Sequence, residues 1–406
     1  MGYSLKFIIL MLIPFSWVQA LEISEINHLK GRKILETIEL GLDTNMLIEK
    51  SFWSDSHVAV YARWGKFIPA REREELPPEK RHLFKVFDRK GNLILTLIDR
   101  IIYRVYFSEK YFCVVTYPVN EWVINLFYDY EGILRQTIET RDPGVKLSPS
   151  GEFGILTMQS LEEQSGRLEI YNVTQGRKIE IPMKLNGFGY RADFIDENRV
   201  IYFFKDDDKI RETHKQSILI QIINLKNSLV EKERSLEVDF SISVDGSFLK
   251  ILKEGGKQYY WLTGYVVNNT TADASLILDH ELNVKYFDIY QKYNSPHDGM
   301  LLPGDKFLLI LSNSIRLTES WKNVKEFFFK ETGFHGGHVR PHTNQFLYKG
   351  ENVVEFFTYD IYTHTGFIYG SIDLKNFNNF RVKKDPKIKW INGNCLLYEG
   401  KLLFFE

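Results

Sequence analysis

The feature that most constrains this chain is a repeated hairpin, in which an apolar strand, a polar turn and a second strand follow one another. The clearest copies are LFKVFDRKGNLILTL (83–97), VINLFYDYEGILRQTI (123–138) and RLEIYNVTQGRKIEI (167–181), with weaker copies at 217–225, 274–289, 314–329 and 366–382. Their turn residues Asp88, Asp129 and Asn172 are 41 and 43 residues apart. Alternating apolar residues between turn formers predict strands. A period of about 40 to 55 residues with four strands per unit predicts an all-β propeller.

A second element precedes these hairpins and consists of a strand, a polar turn and another strand. It occurs at 106–115, 146–156, 193–204, 241–252 and 301–311. The turn Ser148-Pro149-Ser150-Gly151 in the second copy resembles the S-P-D-G-type inner hairpins of WD40-like exported propellers. Because the Trp-Asp ending of true WD40 repeats is absent, the resemblance implies architecture only and no partner or activity.

The number of blades follows from counting strand sets. Seven complete units leave a remainder at 387–406, which has enough residues for three strands but lacks an outer fourth. The segment GRKILETIEL (31–40) matches the outer-strand pattern. We therefore predict a single propeller of about eight four-stranded blades, closed by pairing of the N-terminal strand with the C-terminal blade. Seven blades remain the alternative, because the units at 243–290 and about 334–384 are long and irregular.

The N-terminus has the pattern of a cleaved signal peptide. One positive charge in Met1–Lys6 precedes the apolar run 7–15, and Val18-Gln19-Ala20 is a small-residue cleavage site. We expect cleavage after Ala20, which leaves one propeller domain over 21–406 in the periplasm or the extracellular space. An apolar run of nine residues is far below the roughly 20 that a spanning helix needs, so no membrane span is expected.

Charge and cysteine content narrow the possible partners and the means of stabilisation. The chain has 52 Lys and Arg and 53 Asp and Glu, which gives a formal net charge of −1. Nucleic-acid-binding proteins need an excess of basic residues to bind phosphates, so no nucleic-acid partner is expected. Cys113 and Cys395 each lie in an apolar run. We expect both to be small core residues rather than a disulfide, because the repeat places them in non-adjacent units. A monomer without a disulfide is predicted.

In propellers, the connection from the outer strand of one blade to the inner strand of the next crosses one face towards the axis. Polar residues recur in these connections and predict a ligand-binding funnel. The candidates are Arg141, Asp142, Arg191, Asp193, His297, Asp298, His335 and His338. The histidines precede consecutive units, in SPHDGM and GFHGGHVRPH, so they are expected to converge. The insertions 66–82 and 205–216 fall between the second and third strands of a blade and are expected on the opposite face.

Three functions are compatible with this funnel. Imidazoles with a carboxylate could hold zinc or copper, with His297, Asp298, His335 and His338 as candidate ligands. A single residue, His297, could instead act as catalytic base or nucleophile. The stretch His297-Asp298-Gly299 with Leu302-Pro303-Gly304 and Leu308-Leu309 resembles arylsulfotransferase-like propellers, which implies a His that carries the sulfuryl group.

The third function is ligand binding without catalysis or a bound metal, and the sequence favours this function. The sequence contains no G-x-S-x-G elbow, no H-E-x-x-H helix and no glycine-rich phosphate loop. We therefore expect an exported binding or scaffold protein that recognises a protein, a glycan or a small molecule, with no cofactor firmly implied. A propeller enzyme with a His-centred site is the alternative.

Overall fold

The computed structural model describes part of the chain, on which all structural statements below rest. The described ranges are 33–42, 45–65, 75–117, 123–140, 145–160, 165–179, 190–205, 217–238, 240–241, 249–266, 273–290, 296–311, 314–328, 345–348, 353–359, 367–373, 380–384, 388–392, 395–398 and 400–405. The predicted signal peptide lies outside them. No helix in these ranges is long and apolar enough to cross a membrane.

The described residues form eight antiparallel sheets, which we number as blades in chain order. Blade 1 contains β2 (Met46–Trp53), β3 (His57–Trp64), β4 (His82–Asp88) and β5 (Leu93–Ile98). Blade 2 contains β6 (Ile101–Phe107), β7 (Tyr111–Tyr117), β8 (Val123–Asp129) and β9 (Leu134–Thr140). Blade 3 contains β10 (Val145–Leu147), β11 (Phe153–Ser160), β12 (Ser165–Asn172) and β13 (Arg177–Ile179). Blade 4 contains β14 (Tyr190–Phe194), β15 (Arg199–Lys205), β16 (Ser217–Asn224) and β17 (Leu229–Glu237).

The remaining blades follow the same order. Blade 5 contains β18 (Phe240–Ser241), β19 (Leu249–Glu254), β20 (Lys257–Val266), β21 (Asp273–Asp279) and β22 (Val284–Ile289). Blade 6 contains β23 (Pro296–Leu302), β24 (Lys306–Leu311), β25 (Ser314–Glu319) and β26 (Lys322–Phe328). Blade 7 contains β27 (Gln345–Tyr348), β28 (Val353–Tyr359), β29 (Phe367–Asp373) and β30 (Phe380–Lys384). Blade 8 contains β31 (Ile388–Asn392), β32 (Cys395–Tyr398), β33 (Lys401–Phe405) and β1 (Ile34–Glu39). One short helix, α1 (Pro78–Arg81), precedes β4.

Eight blades confirm the predicted propeller, and seven of them have four strands. Blade 5 differs because β18 and β19 both pair with β20, so its first strand is in two pieces. This interruption accounts for the irregular sequence of the fifth unit. The first strands of consecutive blades contact one another from blade 1 to blade 6 and again between blades 8 and 1.

The two ends of the described chain meet in blade 8. Strand β1 pairs antiparallel with β33, with Ile38 opposite Leu402, and the Leu40 amide donates to the Gly400 carbonyl at 3.3 Å. Leu402 is fully buried and lies in one apolar cluster with Leu40 and with Val58 of blade 1. The predicted closure by the N-terminal strand is therefore confirmed, and it joins blade 8 to blade 1.

The repeated Asp and Asn of the third-to-fourth-strand turns act as acceptors for the turn backbone. In blade 2, Asp129 Oδ1 accepts from the amides of Glu131 and Ile133 at 3.0 and 2.9 Å. Asp88 and Asp279 do the same in blades 1 and 5, and Asn172 and Asn224 substitute an amide oxygen in blades 3 and 4. Short polar side chains that bond the backbone two to four residues ahead fix tight turns. This bonding explains why Asp or Asn recurs at the same turn position in blades 1 to 5.

The described core lies between blades, where the middle strands of blades 1, 2, 5 and 6 are covered on both faces. Strands β3 and β24 are almost continuous buried apolar runs, the pattern expected when a sheet has a neighbour on each side. Cys113 of blade 2 and Cys395 of blade 8 are free thiols, 0% and 1% exposed. Their burial confirms that they serve as small core residues.

The strand order corrects the expectation about the face of the ring on which the insertions 66–82 and 205–216 begin and end. In a four-stranded antiparallel blade, the connection between strands two and three leaves from the same end as the connection to the next blade. The Arg81 guanidinium of the first insertion lies 2.9 Å from the Asp99 carboxylate in the blade 1 to blade 2 connection. The expectation that the insertions lie opposite the funnel is thus wrong. We call the end of the ring that carries the connections between blades the connection face. The opposite end carries the short turns between strands one and two and between strands three and four, and we call it the turn face.

Candidate functional site

Two of the predicted funnel residues lie in the first strand of blade 4, near the axis. Arg191 and Asp193 belong to β14 rather than to the connection before it. Asp193 Oδ2 lies 3.0 Å from Lys146 Nζ of β10 in blade 3, and its Oδ1 accepts from the amide of Phe194. The Asp193 carboxylate therefore joins two blades, so it has a structural role in addition to being a polar group near the axis.

Two further candidates, His297 and Asp298, lie in β23, the first strand of blade 6. Pro296 pairs with Leu311 and Asp298 with Ile310, so His297 is the extra residue of a β-bulge. Bulges bend a strand and re-aim its side chains, and they are over-represented next to active sites. The side chains of His297 and Asp298 lie outside the described part of the structure.

The remaining candidates fall beyond the described ranges. Arg141 and Asp142 lie between β9 and β10, and His335 and His338 lie between β26 and β27. Convergence of the histidines therefore stays a prediction. Among the side chains that are described, no three His, Cys, Asp or Glu form a group able to hold a metal ion, and the zinc or copper site at His297, Asp298, His335 and His338 also stays a prediction.

The first strands present further polar groups that sequence reasoning did not single out. Lys50 of β2 donates to the Ile102 carbonyl of β6 at 3.2 Å and stands 5.3 Å from the Tyr103 ring centre. Lys250 of β19 donates to the Gly299 carbonyl of β23 at 2.9 Å. With the Lys146 and Asp193 pair, one lysine from each of blades 1, 3 and 5 reaches the first strand of the next blade. These lysine contacts join neighbouring blades, so the sequence of a single repeat does not reveal them.

Lys50 is partly buried, and its surroundings disfavour the charge. Desolvation by burial lowers the pKa of its ammonium, Glu49 partly opposes the shift, and Arg104 and Arg63 add to it. The Arg104 guanidinium also lies 5.4 Å from the Tyr103 ring centre. We call the set Glu49, Lys50, Tyr103, Arg104, Lys146, Arg191 and Asp193 the channel mouth. It holds four cations and two carboxylates, so its described side chains have a net positive charge.

A partly buried ion cluster lies between blades 5 and 6, near the connection face. Arg316 of β25 pairs with Asp288 of β22 and, at 2.9 Å, with Glu326 of β26. Its guanidinium stands 5.4 Å from the Tyr290 ring centre. Tyr290 is the last residue before the connection that leads to His297. The cluster joins residues 28 and 10 positions apart in sequence, and no local motif indicates it.

The described residues also line an open pocket of about 480 Å³ on the turn face, between blades 4 and 5. We call it the interblade pocket. Its cationic lining residues are Arg199, Lys232, Lys257 and Lys285, and its carboxylates are Glu231 and Asp279. Ile222 and Tyr260 supply apolar and aromatic walls. Sequence reasoning missed this site because it considered only the connection face.

Known proteins resemble this chain in fold only. No family model matches the chain, and no curated protein matches it. A solved structure described as the Dos1 propeller matches with a TM-score of 0.50 at 10% identity, covering 92% of this chain and 95% of that one. The uncharacterized protein lmo1340 of Listeria monocytogenes EGD-e matches at 0.48 and 11% identity, over 86% of this chain and 97% of that one.

Kluyveromyces lactis Hsv2 matches with a TM-score of 0.48 at 9% identity, over 87% of this chain and 98% of that one. At such low identity, likeness to a solved structure establishes architecture and leaves function open. The eight sheets, their closure and the likeness to the Dos1 propeller together show that the chain is a β-propeller.

Proposed function

We propose that this chain is an exported, monomeric binding protein that recognises an acidic protein, glycan or small molecule at the channel mouth. The observation that carries the proposal is the charge of that mouth. Lys50, Arg104, Lys146 and Arg191 outnumber Glu49 and Asp193 on strands that meet around the axis. A concave surface of one sign attracts partners of the other sign and speeds their association.

The test compares acidic and neutral probes. Binding of polygalacturonate, poly-glutamate and dextran is measured at about 50 and about 300 mM NaCl, because screening grows over this range. We expect the acidic polymers to bind, dextran not to bind, and the higher salt to weaken binding. Arg191→Ala should weaken binding about fivefold to tenfold, as expected for loss of a charged contact. Lys110→Ala, which removes an exposed lysine on the turn face, should leave binding unchanged. Equal binding of dextran, or no binding of any acidic probe, would contradict the proposal.

Export rests on the N-terminal sequence pattern. A cleaved signal peptide leaves a mature domain over 21–406. Sequencing the N-terminus of protein recovered from the exported fraction should give Leu21 as the first residue. A mature protein that still begins at Met1 would contradict export by this route. Closure of the ring within one chain supports a monomer, which light scattering on the purified protein tests.

A propeller enzyme with a His-centred site is the second candidate, because the stretch around His297 resembles arylsulfotransferase-like propellers, which implies a His that carries the sulfuryl group. The Ser148 turn resembles those of WD40-like propellers, and this resemblance implies architecture without an activity. If His297 carries a transferred group, turnover of an aryl sulfate should be measurable and should be lost in His297→Ala. A wild-type protein without turnover would rule out sulfuryl transfer and leave the binding function ahead.

A further inference from the structure

We propose that the sector of the channel mouth on blades 1 and 2 docks an acidic protein segment that carries an aliphatic side chain beside its carboxylates. The inference rests on the proposed function and narrows its ligand from three classes to protein. The residues that carry it lie on β2, β6 and β7, and we call them the docking site. They are Leu47, Lys50, Ile101, Tyr103, Arg104 and Tyr117.

The first argument is the exposure of large apolar side chains at the connection face. Leu47 is 61% exposed near the start of β2, Ile101 is 45% exposed at the start of β6, and Tyr117 is 37% exposed at the end of β7. Ile101 and Tyr117 are direct partners across the sheet of blade 2, and β2 contacts β6. Grouped exposed apolar residues mark interaction sites, whereas isolated ones need no explanation.

The second argument is the set of aromatic contacts around Tyr103. The pairing of β6 with β7 shifts just before Arg104, so Tyr103 is the extra residue of a β-bulge. Its ring lies edge-on to the Tyr117 ring, with 5.2 Å between the centroids. Lys50 Nζ stands 5.3 Å and the Arg104 guanidinium 5.4 Å from its centre. Tyrosine and arginine side chains are enriched where proteins contact one another, and they supply much of the binding energy there.

The third argument is the charge around Lys50. Arg104 and Arg63 disfavour its ammonium group, whereas Glu49 favours it. Glu49 also forms an ion pair with Arg63. Three cations and one carboxylate leave these described side chains with a local charge of +2. A carboxylate of the docked segment adds a counter-charge at this place, and such complementarity selects an acidic partner.

The mixture of charge and apolar surface favours a protein over a glycan. An acidic polysaccharide offers carboxylates and hydroxyls, which suit Lys50 and Arg104 but leave the aliphatic chains of Leu47 and Ile101 in water. A protein segment offers a carboxylate and an aliphatic side chain from neighbouring residues. Removing the apolar surface of both partners from water then adds affinity that the polysaccharide does not gain.

The test uses three short synthetic peptides of equal length. The first repeats the sequence Glu-Leu-Asp, the second has Ser in place of Leu, and the third has Gln and Asn in place of the acidic residues. In isothermal titration of the full chain at about 50 mM NaCl, the leucine peptide should bind at least about tenfold more tightly than the serine peptide. The neutral peptide should bind at least about tenfold more weakly than the leucine peptide. A galacturonate oligomer with the same number of carboxylates is the glycan reference.

Two variants locate the apolar contact, and a third is the matched control. Leu47→Ser and Ile101→Ser should each reduce the advantage of the leucine peptide over the serine peptide about threefold to tenfold. Because both side chains are exposed, the melting temperature and the affinity for the serine peptide should stay unchanged. Leu229→Ser alters a leucine that is 59% exposed on the outer strand of blade 4 and should leave the advantage intact. Arg104→Gln should weaken binding of both acidic peptides about fivefold.

Three results would overturn the inference. The first is equal affinity for the leucine and serine peptides, and the second is a leucine advantage that survives in both Leu47→Ser and Ile101→Ser. The third is tighter binding of the galacturonate oligomer than of the leucine peptide, which would identify a glycan ligand. Each of these results leaves the proposed function standing, because an acidic ligand still binds. Failure of every acidic probe to bind would instead refute the proposed function and this inference together.

Discussion

Gly132 of blade 2 faces the carbonyl oxygen of Ile94 in the outer strand of blade 1, and a Cβ at this position would lie 2.4 Å from that oxygen. The same relationship recurs around the ring, where Gly91 faces Ile38 and Gly176 faces Gln136. In blades 1, 2 and 3 the outer turn thus rests on the outer strand of the preceding blade. In blade 5, Leu282 occupies the glycine position with a φ of +64°, and there cations from blade 4 hold the turn.

Gly132→Ala should destabilise the protein, because both the conformation and the space exclude a side chain. Its φ is +78°, and the atom it would meet belongs to rigid backbone. We expect the free energy of unfolding to fall by about 1 to 3 kcal/mol, measured by chemical denaturation. Gly304→Ala is the matched control, since Gly304 has a φ of +80° with nothing within 4 Å of a Cβ. Equal losses in the two variants would show that the contact with Ile94 does not matter.

Closure of the ring should depend on the apolar core of blade 8. Leu402 is fully buried beneath β1, so Leu402→Ala should lower the free energy of unfolding by about 2 to 5 kcal/mol. Leu35→Ala, on the same sheet but 49% exposed, should change it by less than about 0.5 kcal/mol. Deleting 401–406 should cost more than either substitution. A truncated protein that melts at the temperature of the full chain would contradict closure.

The lowered pKa of the turn carboxyl group Asp129 predicts how the stability of the protein depends on pH. Burial would raise the pKa of Asp129, but hydrogen bonds from the Ile133 and Glu131 amides and from Arg135 outweigh it, and the pKa is lowered. A carboxyl group whose pKa is lower in the folded state stabilises the protein above its unfolded pKa of about 4, and this contribution is lost as the pH falls below it.

Asp129→Asn keeps an acceptor oxygen, as Asn172 does in blade 3, but cannot ionise. We expect the wild type to be more stable at pH 7 by about 1 kcal/mol, and the difference to vanish towards pH 2. Denaturation at a series of pH values measures it. Glu131→Gln, at an exposed position on the same turn, is the control. A difference that stays constant over the whole pH range would rule out ionisation as its cause.

The two thiols should be unreactive in the folded protein. Burial raises the pKa of both Cys113 and Cys395, and the thiolate is the reactive form. We expect no reaction with a thiol reagent in native buffer and two thiols per chain in denaturant without reductant. Fewer than two titratable thiols after unfolding would show that the residues form a disulfide, contrary to the structure.

The fold could be predicted from the sequence because its signals are local. Asp88, Asp129 and Asn172 are visible as repeat markers since each completes a turn within five residues of its own position. Closure could also be predicted, because 31–40 resembles the outer strands of other units. The face of the insertions was predicted wrongly, although it follows from strand direction alone.

The candidate sites were harder to predict because they depend on contacts between blades. The Lys146 contact with Asp193 and the Lys250 contact with Gly299 join residues 47 and 49 positions apart. The interblade pocket combines Gln258 of blade 5 with Lys232 of blade 4. Side chains at such separations are brought together by blade stacking, which no single repeat encodes.

The pairing of β1 with β33 has a consequence for the order in which the protein is assembled. The joined segments, 34–39 and 401–405, are more than 360 residues apart, and synthesis delivers the second one last. Blades 1 to 7 each use only strands that are close in sequence and can form as they emerge, whereas blade 8 needs both joined segments. Until then β1 has no partner strand. The ring therefore cannot close through β1 before 401–405 has been synthesised.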